Sequence, residues 1–376
     1  MPLELESVGS AVVRAHQLGQ SVWYDGLVSP DEFKHLIDRV GIRGATTNPA
    51  IFEKALLSVK YQAAIRRRVK RGLTAEEVYQ ELTIEAVRGA ADVFNGLYEE
   101  SGHLDGFVSI EVSPLLAHDL KLTVSQAKNL FALIDRPNVM IKVPATLAGV
   151  EATEQLVFAG IPVNATLIFS VERYRAVAGA YVKALERRID AQLPVDGIRS
   201  VASFFVSRLD AEVDGALEGR IAASHSMAHQ RALGQLRGRA AIANAKVAYG
   251  EFERLFLGES FEALRSRQAE PQRLLWASTG TKNPLYRDVL YVEELMGPYT
   301  VNTMPPSTLE AFVDHGICEL KIRRDLAQAR QVLEKLAHDG VNVDAITVSL
   351  EEAGLRQFCD AYSKIIQRIG DCKNEC

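Results

Sequence analysis

Residues 138–146 read NVMIKVPAT, an apolar run with one lysine inside it. Val139, Met140, Ile141 and Val143 have the composition of a buried strand, so Lys142 needs a reason to be there. A charged ammonium is costly in an apolar setting. Lysine is almost never fully buried without a partner. Three readings are open. The head can reach solvent from a strand end. It can pair with a carboxylate and stay charged. Or it can shed its proton, and a neutral buried amine attacks carbonyls.

Polar residues also stand where other apolar runs end: Asp25, Thr46-Thr47-Asn48-Pro49, Glu111, Asn164 with Thr166, Ser203 with Arg208 beyond it, and Ser278 with Lys282 beyond it. Singly, each has an ordinary explanation. Asp25 could cap a turn, and Asn48 before Pro49 suits an Asx turn. Glu111 could be the ion-pair partner of Lys142, and Arg208 a surface charge. Jointly they suit Schiff-base chemistry on a ketose. An amine attacks the carbonyl. One carboxylate removes a hydroxyl proton so that a carbon–carbon bond can break. A second carboxylate, with a hydroxyl, manages water. Amides hold sugar hydroxyls, and cations take a phosphate. A charged Glu111 in contact would hold the amine protonated, so Glu111 is expected to act through water.

That chemistry needs elements that bring the residues to one place. Apolar runs rich in branched residues predict strands at 21–25, 42–46, 106–111, 138–143, 162–166, 200–206, 273–277 and 299–302. Helical spacing fills the gaps. Thr74-Ala75-Glu76-Glu77 is a capping-box signature for a helix running to Glu100. Ser170 reads as an N-cap, and Ser207 or Asp210 as the start of the next helix. A long helix is expected over 225–257, with Gly234 and Gly238 as weak points. Eight strands alternating with helices predict an α/β fold, a (β/α)8 TIM barrel. An open doubly wound sheet would want a glycine-rich phosphate loop after its first strand. Here that strand leads into YDGLVSPDEF. Residues 322–369 add two amphipathic stretches, expected as C-terminal helices on the barrel exterior. One carries Leu326, Leu333 and Leu336, the other Leu355, Phe358, Tyr362 and Ile366. No linker or repeat divides 1–376, so one domain is expected. In such a barrel the polar strand ends converge on one mouth.

Bulk properties narrow the function. The 376 residues are 47% hydrophobic and 24% charged with a net charge of −5, which suits a soluble globular protein. The segment MPLELESVGS lacks the basic and apolar regions of a secretory signal, and no apolar stretch spans a bilayer. A cytoplasmic protein that binds neither membrane nor nucleic acid is expected. The basic run Arg66, Arg67, Arg68, Lys70, Arg71 reads as the solvated end of a helix before Gly72. Cys318, Cys359, Cys372 and Cys376 read as free thiols, the last two in an exposed tail. His225 and His229 stand one helical turn apart but lack the glutamate of H-E-x-x-H, so they read as surface residues rather than a metal site.

Six segments carry a family resemblance: GATTNPAIF (44–52), VSIEVSP (108–114), NVMIKVPAT (138–146), IPVNATLIFS (161–170), SVASFFVSRLD (200–210) and LLWASTGTKNP (274–284), with NTMPPSTL (302–309) following. Their order and spacing resemble the transaldolases, in the longer form of bacteria, cyanobacteria and plants. The resemblance implies a barrel and a Schiff-base mechanism without metal or cofactor. It implies Lys142 as the imine-forming residue and Asp25, through the local match YDGL, as the acid/base for the C4 hydroxyl. Glu111 and Thr166 match the pair that orients water. Asn48, Asn164 and Ser203 match groups around the bound three-carbon unit. Arg208 matches a phosphate-binding arginine, with Ser278 and Lys282 at the second phosphate contact; shorter transaldolases have arginine in place of Lys282. Related aldolases that cleave fructose 6-phosphate outright carry tyrosine where Phe205 stands and glutamine where Glu111 stands. The implied reaction moves dihydroxyacetone from sedoheptulose 7-phosphate or fructose 6-phosphate to an aldose phosphate, in the non-oxidative pentose phosphate pathway. The alternatives are a class I aldolase and a catalytically silent binding barrel. A monomer or homodimer is expected.

Overall fold

The computed structural model describes residues 11–56 and 58–374; the expectations placed on the N-terminal segment and on Cys376 lie outside them. Eight strands run in chain order: β1 (Gln20–Asp25), β2 (Gly44–Thr46), β3 (Phe107–Glu111), β4 (Val139–Pro144), β5 (Val163–Ile168), β6 (Ser200–Phe205), β7 (Arg273–Ala277) and β8 (Thr300–Met304). Each pairs in parallel with its sequence neighbours, and β8 pairs with β1, so the sheet closes into a (β/α)8 barrel. β3 to β6 and β8 are buried along their whole length, as parallel strands are when helices cover one face and packed side chains the other.

Helices form where their caps allow. Thr74 closes a full capping box with Glu77 at the head of Ala75–Glu100. Ser170 accepts from the Arg173 amide and starts Val171–Asp190. The helix after β6 starts at Ser207 and runs to Ala223, with Asp210 buried in its first turn. The long helix expected over 225–257 is instead three pieces: Met227–Gly234, Ala240–Phe252 and the π-helical turn Glu253–Leu257. Its break holds Gly238 at φ 66°, where a side chain is strained. His225 precedes the N-cap Ser226, so the two histidines do not share a helical turn; His229 faces Asp339 at 3.6 Å. The basic run ends the helix Val59–Lys70, where Arg68 pairs with Glu81 and Glu85. Cys372, expected as exposed, packs partly buried against the core.

Two features bear on the site. The β5–β6 register shifts between Ala165 and Ile168, around Leu167 at φ 60°. Such an irregularity re-aims side chains at a barrel rim. The closing segment also divides. Leu326–His338 lies against Ala240–Phe252, whereas Val343–Asn374 packs on Pro49–Leu56, Ala75–Glu100 and Ser207–Ala223 and reaches β5 at the C-terminal mouth. Its Phe358 ring centre is 5.9 Å from Lys142 Nζ.

Candidate active site

The register of β3, β4 and β5 sets Glu111 beside Lys142 and Lys142 beside Asn164. Alternation in β4 then gives Lys142 the opposite face to Ile141 and Val143. Lys142 is 4% exposed, so the solvent-reaching reading of this lysine does not hold. Its amine donates to the Thr47 carbonyl at 3.2 Å and lies 3.9 Å from Glu111 Oε2. The latter distance is an ion-pair contact, too long for a hydrogen bond. Both Glu111 carboxyl oxygens are buried without a hydrogen-bond partner. Burial pushes this carboxyl up to about 7, against the opposing pull of Lys142. A carboxyl in that range exchanges a proton readily near neutrality. The Thr166 hydroxyl is likewise buried without a partner.

On the other side of the mouth, the Thr46 hydroxyl donates to Asp25 Oδ1 at 2.7 Å. That uses its one proton, so the 2.6 Å contact between Thr46 and Thr303 has Thr303 as donor. Burial raises the Asp25 carboxyl above its ordinary value, while Lys142 and the Thr46 bond pull it down. The Asn164 amide is fixed at both ends, donating to Ser109 Oγ at 3.0 Å and accepting from Ser203 Oγ at 2.6 Å. The structure therefore brings Lys142, Glu111, Asn164 and Ser203 together, with Asp25 within electrostatic reach of the amine. Asn48 is a helix N-cap rather than an Asx turn: its Oδ1 accepts from the Ile51 amide, three residues on, at 3.0 Å at the head of Pro49–Leu56.

Arg208 and Lys282 form a separate group. The Arg208 guanidinium stands 5.8 Å from the Phe205 ring centre, and Phe205 packs 5.1 Å from Phe169. Burial draws the Arg208 cation down from its ordinary value. Lys282, on the exposed rim, is also drawn down, first by desolvation and then by Arg208. Neither is paired with a carboxylate among the described residues. Two neighbouring cations without counter-charge make an anion site. Ser278, just after β7, has φ 57° and meets Ser207, hydroxyl to hydroxyl, at 3.0 Å.

Sequence reasoning did not assign Thr46, Ser109, Thr303 or Phe358. The first three were legible as polar residues inside buried strands, Ser109 sharing the alternation of Glu111. Nothing in the sequence says that the Phe358 face covers a mouth. Tyr362 of the same helix packs edge-on at 5.2 Å against Tyr79. Tyr79 is kept neutral, first by burial and then by the charges of Tyr362 and Glu111.

A closed parallel barrel whose buried lysine, carboxyls and amides meet at one mouth is the layout of a barrel enzyme. The family model described as Transaldolase/Fructose-6-phosphate aldolase matches residues 22–369. Transaldolase 1 of Streptomyces coelicolor is 45% identical over 97% of this chain and 96% of its own. Transaldolase 2 of Nostoc sp. is 41% identical over 94% and 95%, and the transaldolase of Trichodesmium erythraeum 39% identical over 96% and 97%. The chain belongs to the transaldolase/fructose-6-phosphate aldolase family.

Proposed function

We propose that the chain is a transaldolase that works through an imine on Lys142. The observation that carries the reading is the buried Lys142 amine, 3.9 Å from a carboxyl whose oxygens have no other partner. The neutral amine adds to C2 of a ketose phosphate. Glu111 and Thr166 hold the water that carries protons between nitrogen and the departing hydroxyl, so that water leaves and the imine forms. Asp25, aligned by Thr46, takes the C4 hydroxyl proton. The C3–C4 bond breaks, its electrons moving into the imine to give an enamine. The aldose phosphate departs, and Asn164, Ser203 and Asn48 retain the three-carbon unit until an acceptor aldose phosphate arrives. Arg208, Lys282 and Ser278 receive the phosphate. The imine itself supplies the electron sink, so the scheme calls on no metal or cofactor. The setting is cytoplasmic, in the non-oxidative pentose phosphate pathway; among the described residues no helix is long and apolar enough to cross a membrane.

Transfer rather than simple cleavage is favoured by Phe205, which places an apolar ring, 7% exposed, where a hydroxyl could protonate the enamine. The test is a two-substrate assay. Fructose 6-phosphate with erythrose 4-phosphate should give sedoheptulose 7-phosphate and glyceraldehyde 3-phosphate in equal amounts. Free dihydroxyacetone formed at the same rate with or without acceptor would make the protein an aldolase instead.

A further inference from the structure

The segment between β7 and the short helix Leu290–Glu294 carries Lys282 and has little regular structure of its own. Its ends are tied elsewhere, Thr279 donating to Asn302 Oδ1 at 2.9 Å and Asp288 pairing with His315 at 2.9 Å, and three further contacts, in it or just past it, reach the helix Ser207–Ala223. At its start, the Ser207 amide donates to the Ser278 carbonyl at 3.0 Å. Further on, Tyr286 donates its hydroxyl to Asp214 Oδ2 at 2.5 Å. Just past the segment's end, Tyr291 donates to Asp210 Oδ2 at 2.8 Å. Positions 207, 210 and 214 lie on one helical face. Arg208 is in the first turn of the same helix.

The two carboxylates also lock the element behind them. Asp214 Oδ1 accepts from the Gly238 amide at 2.9 Å, and Asp210 Oδ1 from the Ala241 amide at 2.8 Å. The Tyr286 ring lies so close over Gly238 that a Cβ there would stand 2.8 Å from it. Between Lys282 and Tyr286, a turn closes with the Tyr286 amide on the Asn283 carbonyl at 3.1 Å. Asp210 and Asp214 are 1% and 7% exposed, and the proposed chemistry uses neither.

From these contacts we infer that the Asp214–Tyr286 bond is a positioning device that sets Lys282 opposite Arg208 and thereby the preference for phosphorylated sugars. The inference rests on the reading of Arg208 and Lys282 as the phosphate site. A tether at Tyr286 fixes the turn that presents Lys282; without it the lysine must be ordered each time a phosphate binds.

The experiment measures the burst of aldose released without acceptor, from fructose 6-phosphate and from fructose. The ratio of the two second-order rate constants is the phosphate preference. Tyr286→Phe should lower that ratio about tenfold, the effect of one hydrogen bond to a charged group. Asp214→Asn should lower it similarly. In a Lys282→Ala background, Tyr286→Phe should change the ratio by less than about twofold, since the two act through one contact. A purely structural tyrosine would slow both donors alike and leave the ratio intact, overturning the inference. So would an equal further loss in the Lys282→Ala background. Unchanged ratios in Arg208→Ala and Lys282→Ala would overturn the phosphate reading, and the inference with it. A reduced ratio in those two with none in Tyr286→Phe would overturn the inference alone.

Discussion

Glu111 is a carboxyl with no hydrogen bond, buried next to an amine it does not touch closely. Burial raises its pKa to about 7, so the folded protein binds a proton there that the unfolded chain releases near the ordinary glutamate value of about 4.3. Stability from this group is therefore greatest at low pH and falls as pH rises through about 7. Glu111→Gln should stabilise the fold by only about 1 kcal/mol at pH 5 and by about 3 kcal/mol more than that at pH 8, raising the melting temperature chiefly at the higher pH. Thermal melts at the two pH values check it; an equal gain at both would refute the assignment. Phe205 tests the balance between transfer and cleavage. Phe205→Tyr places a hydroxyl beside the three-carbon unit and should raise release of free dihydroxyacetone several-fold, read in an assay without acceptor. No rise would remove water and proton exclusion as the role of this ring.

At the scale of elements, the helix Val343–Asn374 is the part that the sequence hid. An amphipathic pattern says that Leu355, Phe358 and Tyr362 are covered, not what they cover. Gly354 allows a close approach to the barrel: a Cβ there would lie 3.0 Å from Leu167 Cδ2 and 3.8 Å from an Arg208 nitrogen. An Arg173–Glu351 ion pair at 3.2 Å ties the helix to the one after β5. Phe358→Ala should open the site to water. It should raise donor hydrolysis relative to transfer and cost about 3–5 kcal/mol of stability, the usual range for a buried phenylalanine. The ratio of free dihydroxyacetone to transferred product checks this; a stability loss with an unchanged ratio would make the ring structural only. Strands, by contrast, were readable, because fully buried parallel strands leave apolar runs that a single polar residue interrupts visibly. Their ends moved by one or two residues. β5 ran on to Ile168 through the left-handed Leu167, a conformation that no propensity of leucine announces. The break at Gly238 was visible only as a glycine; the Tyr286 ring that packs over it comes from a distant part of the chain.

The molecule as a whole separates stability from chemistry along the barrel axis. At the end opposite the site, a cavity of about 420 Å³ is lined by Gln20, Arg43, Asp105 and Arg273. Asp105 accepts from Ser21 and is paired with Arg273 at 3.1 Å and Arg43 at 3.4 Å. Burial pushes this carboxyl up, but Arg273, Ser21 and Arg43 together hold it below its ordinary value. Its stabilising contribution is thus present above about pH 4 and lost as pH falls below that. Asp105→Asn should cost about 3–5 kcal/mol at neutral pH, because Arg273 loses its buried partner, with kcat unchanged. Thermal melts and turnover on one preparation check both halves. At the other end lie Lys142, Glu111 and Thr166, where a barrel keeps its chemistry. The most direct measurement is borohydride reduction in the presence of fructose 6-phosphate, followed by peptide mass mapping, with Lys142→Ala as control. The account predicts a reduced three-carbon adduct on Lys142 and none in the variant. An adduct on another lysine, or active transfer by Lys142→Ala, would contradict it.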